Sequence, residues 1–127
     1  MKSVFVLSSL MFILACQDQG TSFDGDMLGK FAYTAYDTLG TELYHGTLIL
    51  FQNDSKITGA WKFEDGRSGQ LEGIARSTEL NLNLNPGYDD NNLLLRGTVS
   101  DGTFSGSWEQ IGFPGIMDRG LFTAFKQ

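Results

Sequence analysis

From Leu28 to Lys126 the chain breaks into short segments that alternate apolar with polar residues, and four of them carry a glycine inside the alternation. The period is clearest at Leu80, Leu82 and Leu84, interleaved with Glu79, Asn81, Asn83 and Asn85. Side chains two apart share one face of a strand, so such a segment has one dry face and one wet face. Ile57-Thr58-Gly59-Ala60-Trp61 and Phe104-Ser105-Gly106-Ser107-Trp108 form a partial internal repeat. Leu71-Glu72-Gly73 and Leu95-Arg96-Gly97 keep the pattern without the tryptophan. A mid-strand glycine weakens a strand, so four in one register imply a geometric need: sharp coiling or close approach of a bulky neighbour.

Strands are expected over 29–37, 43–52, 56–64, 68–77, 78–85, 92–100, 103–110 and 117–126. Between them lie Asn53-Asp54, Asp65-Gly66, Asn85-Pro86-Gly87 and Asp101-Gly102. Asp-Gly between alternating runs is a strong hairpin signal, because glycine accepts the positive φ of the favoured turns. Eight strands joined by short hairpins predict an all-β fold, a small antiparallel up-and-down barrel, which also removes free sheet edges. A β-sandwich is the competing arrangement.

The first residues give an address. Lys2 precedes an apolar run from Val4 to Ala15. As a helix that run would span roughly 18 Å, short of the ~30 Å hydrocarbon core, so a cleavable export signal fits better than a permanent span. Ile13-Leu14-Ala15-Cys16 resembles the lipobox of bacterial lipoproteins, with Leu14 bulkier than the residue usual there. The resemblance implies cleavage before Cys16 and acylation of its sulfur and new amine, where two or three chains hold a protein stably. Residues 1–15 are then a signal peptide, 16–27 a polar tether, and 28–127 the barrel domain. Gln17 after the cysteine implies passage to the outer membrane. An acylated Cys16 leaves no thiol for disulfides or redox chemistry. The whole chain carries a formal charge of −6 with no Lys/Arg cluster, which argues against nucleic acid as a partner.

The Gly-x-Trp elements, set in strand-turn-strand periodicity, resemble those of calycin-type barrels, the lipocalin and avidin families among them. Lipocalins carry that element on their first strand, whereas Gly59-Ala60-Trp61 and Gly106-Ser107-Trp108 fall on the expected third and seventh. The lipocalin Thr-Asp-x-x-Tyr pattern is absent. The chain is also shorter than a typical lipocalin. The resemblance therefore implies an architecture and transfers no binding residues.

Catalytic and metal constellations are sparse. His45 is the sole histidine and no Gly-x-Ser-x-Gly elbow accompanies it. Glu64-Asp65 and Asp89-Asp90 fall at turns, where nothing raises a carboxyl pKa for glycosidase work. The acidic stretches lack the spacing of a calcium loop. The expectation is a non-enzymatic protein without cofactors. Trp61 and Trp108 are either core residues or the wall of a ligand site, each indole needing a partner when buried. Ile111 to Met117, with Phe113 and Ile116, is an unusually apolar connection between the last two strands. It either plugs a barrel mouth or contacts a ligand or partner. Tyr88 is a further aromatic candidate in the Asn85–Asn92 turn. Two functions follow as expectations: binding of an envelope protein through barrel-mouth loops, or carriage of a small apolar ligand inside the barrel.

Overall fold

A computed structural model of the chain describes residues 25–87, 91–112 and 115–127. Eight antiparallel strands follow one another: β1 (Asp26–Tyr36), β2 (Glu42–Asn53), β3 (Lys56–Phe63), β4 (Ser68–Arg76), β5 (Glu79–Asn83), β6 (Asn92–Ser100), β7 (Thr103–Gly112) and β8 (Gly115–Lys126). Each pairs with the next, and β8 returns to β1 from Phe31↔Lys126 to Tyr36↔Leu121. The sheet is a closed barrel, not a sandwich. This matches the up-and-down arrangement expected from the alternation and is consistent with a calycin-like fold.

Its two ends differ. At one end β2–β3, β4–β5 and β6–β7 are joined by two residues each: 54–55, 77–78 and 101–102. Asp101 and Gly102 both take positive φ, 51° and 77°, as a tight hairpin between right-twisted strands requires. The first described residue, Gly25, also lies at this end, just before β1. The opposite end, here the mouth, carries the connections 37–41, 64–67 and 84–91, together with the β7–β8 hairpin.

Interior positions alternate along every strand. Phe31, Tyr33, Leu48, Leu50, Ile57, Phe63, Leu71, Leu82, Leu95, Phe104, Trp108 and Phe122 join one buried cluster. No polar or charged residue is buried among the described ones. The mid-strand glycines are explained by the register. Gly46 sits opposite both Tyr33 and Phe63, whose rings stack over it at 5.5 Å and 12°. Gly59 separates Leu50 from Leu71, and Gly73 separates Ile57 from Leu82. Gly97 and Gly106 pair with each other between Leu80 and Phe122. A small residue between two large ones is how eight strands close around side chains without a void.

One connection departs from expectation. The stretch 111–117 is not a free loop: Ile111 pairs with Ile116 and Gly112 with Gly115, so β7 and β8 run on as a ladder past a bulge at Gln110/Ile111. Leading the polar-apolar alternation astray here is the exposure of the apolar residues themselves, since Ile116 and Met117 are 55% and 61% exposed. Phe113 lies outside the described residues.

A Cβ on Gly106 would collide with the Arg96 carbonyl, and one on Gly59 with the Ile49 carbonyl. Gly106→Val and Gly59→Val should therefore each cost roughly 3 kcal/mol or more in urea unfolding. Gly87, with open space around it, provides the control: Gly87→Ala should stay within about 0.5 kcal/mol of the parent.

Candidate binding site at the barrel mouth

The two tryptophans use one device. Trp61, on β3, lies across β4 at Gly69, where an added Cβ would sit 3.1–3.2 Å from three indole atoms. Its Nε1–H donates to the Leu84 carbonyl at the end of β5 (2.9 Å) and to the Gln70 carbonyl (3.2 Å). Trp108, on β7, likewise crosses β8 at Gly120 and donates to the Tyr36 carbonyl at the end of β1 (2.9 Å). Each indole thus ties its own strand to the next but one. The partial sequence repeat at 57–61 and 104–108 marks this duplication.

The two differ in exposure. Trp108 is 3% exposed and belongs to the core. Trp61 is half-buried at the mouth, where it begins an aromatic run: Trp61–Phe63 at 4.6 Å, Phe63–Tyr44 at 4.8 Å and Tyr44–Tyr33 at 6.2 Å. Arg67, in the β3–β4 turn, lays its guanidinium over Tyr44 (4.8 Å) and Phe63 (5.1 Å). Asp65 holds it there, accepting from Nη2 at 2.8 Å and Nε at 2.9 Å, while its other oxygen accepts from the Arg67 backbone N–H at 3.0 Å. The hydrogen bond from the Arg67 side chain keeps the exposed Asp65 carboxyl below the usual carboxylate range.

Beside this run lies an open cleft of about 290 Å³. Trp61 and Phe63 form one wall, Leu84 and Leu93 are apolar lining, and Asn85, Asn91 and Gln110 form a carboxamide rim. The rim is braced internally. Gln110 donates to Asn91 Oδ1 (2.9 Å) and the Asn92 carbonyl (3.2 Å), and Asn85 donates to the Asn91 carbonyl (3.0 Å).

Exposed apolar residues also stand at the mouth, as Met27, Ile74 and Phe125 do toward the short-hairpin end. Leu39, 89% exposed, tops the β1–β2 connection, and Ile116, Met117 and Leu121 lie along β8. Asp37, Thr38, Ile116, Met117, Asp118 and Arg119 line one open depression there. Of the residues singled out in the sequence, Trp61 on β3 and Ile116 on β8 therefore both stand at the mouth, and Trp108 is interior. Cys16, Tyr88 and Phe113 lie outside the described residues. Arg67 and Gln110 escaped sequence reading, and Asn85 and Asn91 figured there only as turn residues, since turn carboxamides and a lone arginine have no periodic signature. His45 lies on the outer wall, with Nδ1 3.2 Å from the Glu42 carboxylate.

No known protein family and no curated protein matches the chain, so the site is read from its own chemistry.

Tyr33 adds a defect in the core beneath the mouth. Its hydroxyl is buried with no hydrogen-bond partner among the described residues. Tyr44 and Arg67 act on it electrostatically, but neither makes a hydrogen bond of acceptable geometry to it. Burial pushes the Tyr33 phenol far above the ordinary tyrosine range and raises Tyr44 as well. Removing an unsatisfied buried hydroxyl relieves a desolvation cost, so Tyr33→Phe should stabilise the fold by about 1 kcal/mol in urea unfolding. The raised pKa values also set an alkaline limit. Stability is unaffected by these groups below the unfolded tyrosine pKa of about 10, and falls as pH rises above it toward the folded values, because there the unfolded chain ionises and the folded one does not. Ultraviolet titration should show late phenolate absorbance coinciding with unfolding, with a smaller late phase in Tyr33→Phe.

Proposed function

We propose that this is a non-enzymatic bacterial lipoprotein, acylated at Cys16, that holds its barrel outside the envelope membrane and binds a partner protein with its mouth. The observation that carries this reading is the polarity of the barrel. The polypeptide joins β1 at the short-hairpin end, so an anchor at residue 16 would turn the longer connections and the exposed Leu39, Ile116 and Met117 away from the bilayer. Exposed apolar side chains grouped on a rim suit contact with a protein rather than with water.

Charge supports the same orientation. Near the mouth Asp37, Glu42, Glu64, Asp65, Glu109 and Asp118 outnumber Lys62, Arg67 and Arg119, whereas at the other end Lys30, Lys56, Arg76 and Lys126 balance Asp26, Asp54, Glu79 and Asp101. An acidic mouth is repelled by anionic headgroups and favours a partner with a basic rim. The reading as a carrier of an apolar ligand inside the barrel is weaker, because aromatic and aliphatic side chains occupy the interior.

Two measurements test the proposal. Growth with an alkyne fatty acid should label the wild-type protein and place it in the membrane fraction, whereas Cys16→Ser should be unlabelled. A photo-crosslinking amino acid at Leu39 or Met117 should give discrete adducts in intact cells, and one at Ser77, in the opposite end's β4–β5 turn, should not. Adducts from Ser77 alone would refute the mouth as the binding end.

A further inference from the structure

The cleft walled by Trp61 has a chemistry distinct from the exposed apolar residues Ile116 and Met117 of β8. The pair of equivalent tryptophans isolates what is unusual about it. Clamping strand to strand over a glycine accounts for both indoles, and Trp108 does so while 3% exposed. The clamp therefore does not require any exposure, yet Trp61 stays only partly buried and lines an open cleft. Its two acceptors, Leu84 and Gln70, fix the ring in place. A fixed aromatic surface loses little entropy on binding.

The other groups limit what can lie on that surface. Arg67 is the one cation among the lining residues, and it is already neutralised by Asp65 and spread over two rings. An anionic ligand would compete with Asp65 for it. A wholly apolar ligand would desolvate Asn85, Asn91, Gln110 and Ser68 without replacing their water contacts. A cleft with no net charge, one aromatic wall and a rim of carboxamides fits a neutral ring that has an apolar face and hydroxyls at its edge. Gln110 already spends its amide hydrogens on Asn91 and Asn92, so its part toward a ligand hydroxyl is to accept. The volume falls at the low end of small-ligand sites.

We propose that this cleft binds a neutral pyranose of a glycan, its C–H face on Trp61 and its hydroxyls toward Asn85, Asn91 and Gln110. The inference rests on the reading of the mouth as the binding end and adds a second ligand class there.

The test uses full-length protein with nitrogen-15 in its tryptophans, titrated with chitotriose, maltotriose and cellotriose. At least one trisaccharide should shift the Trp61 indole signal saturably in the millimolar range or below and leave Trp108 in place. Gln110→Ala should weaken that binding by about tenfold, the scale of one or two hydrogen bonds, with the Trp108 signal reporting an intact barrel. Asn85→Ala provides a second variant should Gln110→Ala disturb the fold. No saturable shift with any of the three sugars, equal shifts at both tryptophans, or undiminished binding by folded variants would overturn the assignment. Crosslinks from Met117 without sugar binding would remove this inference alone and leave the binding end standing.

Discussion

A barrel this narrow closes only if large interior side chains meet glycines on the neighbouring strands. Tyr33 and Phe63 stack because Gly46 lies between them, and Leu50 and Leu71 flank Gly59. The tryptophans extend the same rule. Trp61 over Gly69 and Trp108 over Gly120 convert an empty position into a hydrogen bond that joins strands with no ladder in common. Large-to-small replacements in such a core leave cavities, whereas small-to-large replacements at the glycines strike backbone that has no slack. The fold therefore depends on its glycines at least as much as on its aromatic residues.

The same construction separates the two ends. Two-residue turns seal one end, where positive φ at Asp54, Ser77, Asp101 and Gly102 serves only to reverse the chain. Longer connections at the other end have room for side-chain chemistry. There the Asp65–Arg67 pair orders the β3–β4 turn, and Asn85, Asn91 and Gln110 bond one another at the base of the 84–91 connection. Such exposed ion pairs add little to stability. Their consequence is a mouth with a carboxamide-rimmed cleft beside Trp61.

Much of the scaffold was legible in the sequence. Strict alternation at Leu80, Leu82 and Leu84 placed β5, Asp101-Gly102 placed the β6–β7 hairpin, and the duplicated Gly-x-Trp marked the two equivalent corners. What alternation could not reveal was pairing two strands away: nothing near Trp61 in sequence points to Leu84, and nothing near Trp108 points to Tyr36. The stretch 111–117 was ambiguous because apolar residues suit either a plug or a contact surface, and here Ile116 and Met117 lie exposed on a hairpin. Arg67 and Gln110 were invisible as site residues for a similar reason. Their roles arise from the closure that brings the β3–β4 turn and β7 to the same cleft.

Indole hydrogen exchange measures the central claim directly. In the native protein the Nε1–H of Trp61 and Trp108 should both exchange far more slowly than free indole. Trp108, buried beneath β8, should exchange only at the rate of global unfolding, and Trp61, at the mouth, somewhat faster. Exchange of both protons at the free-indole rate under native conditions would mean that neither tryptophan clamps the barrel, and the account of closure built on them would fail.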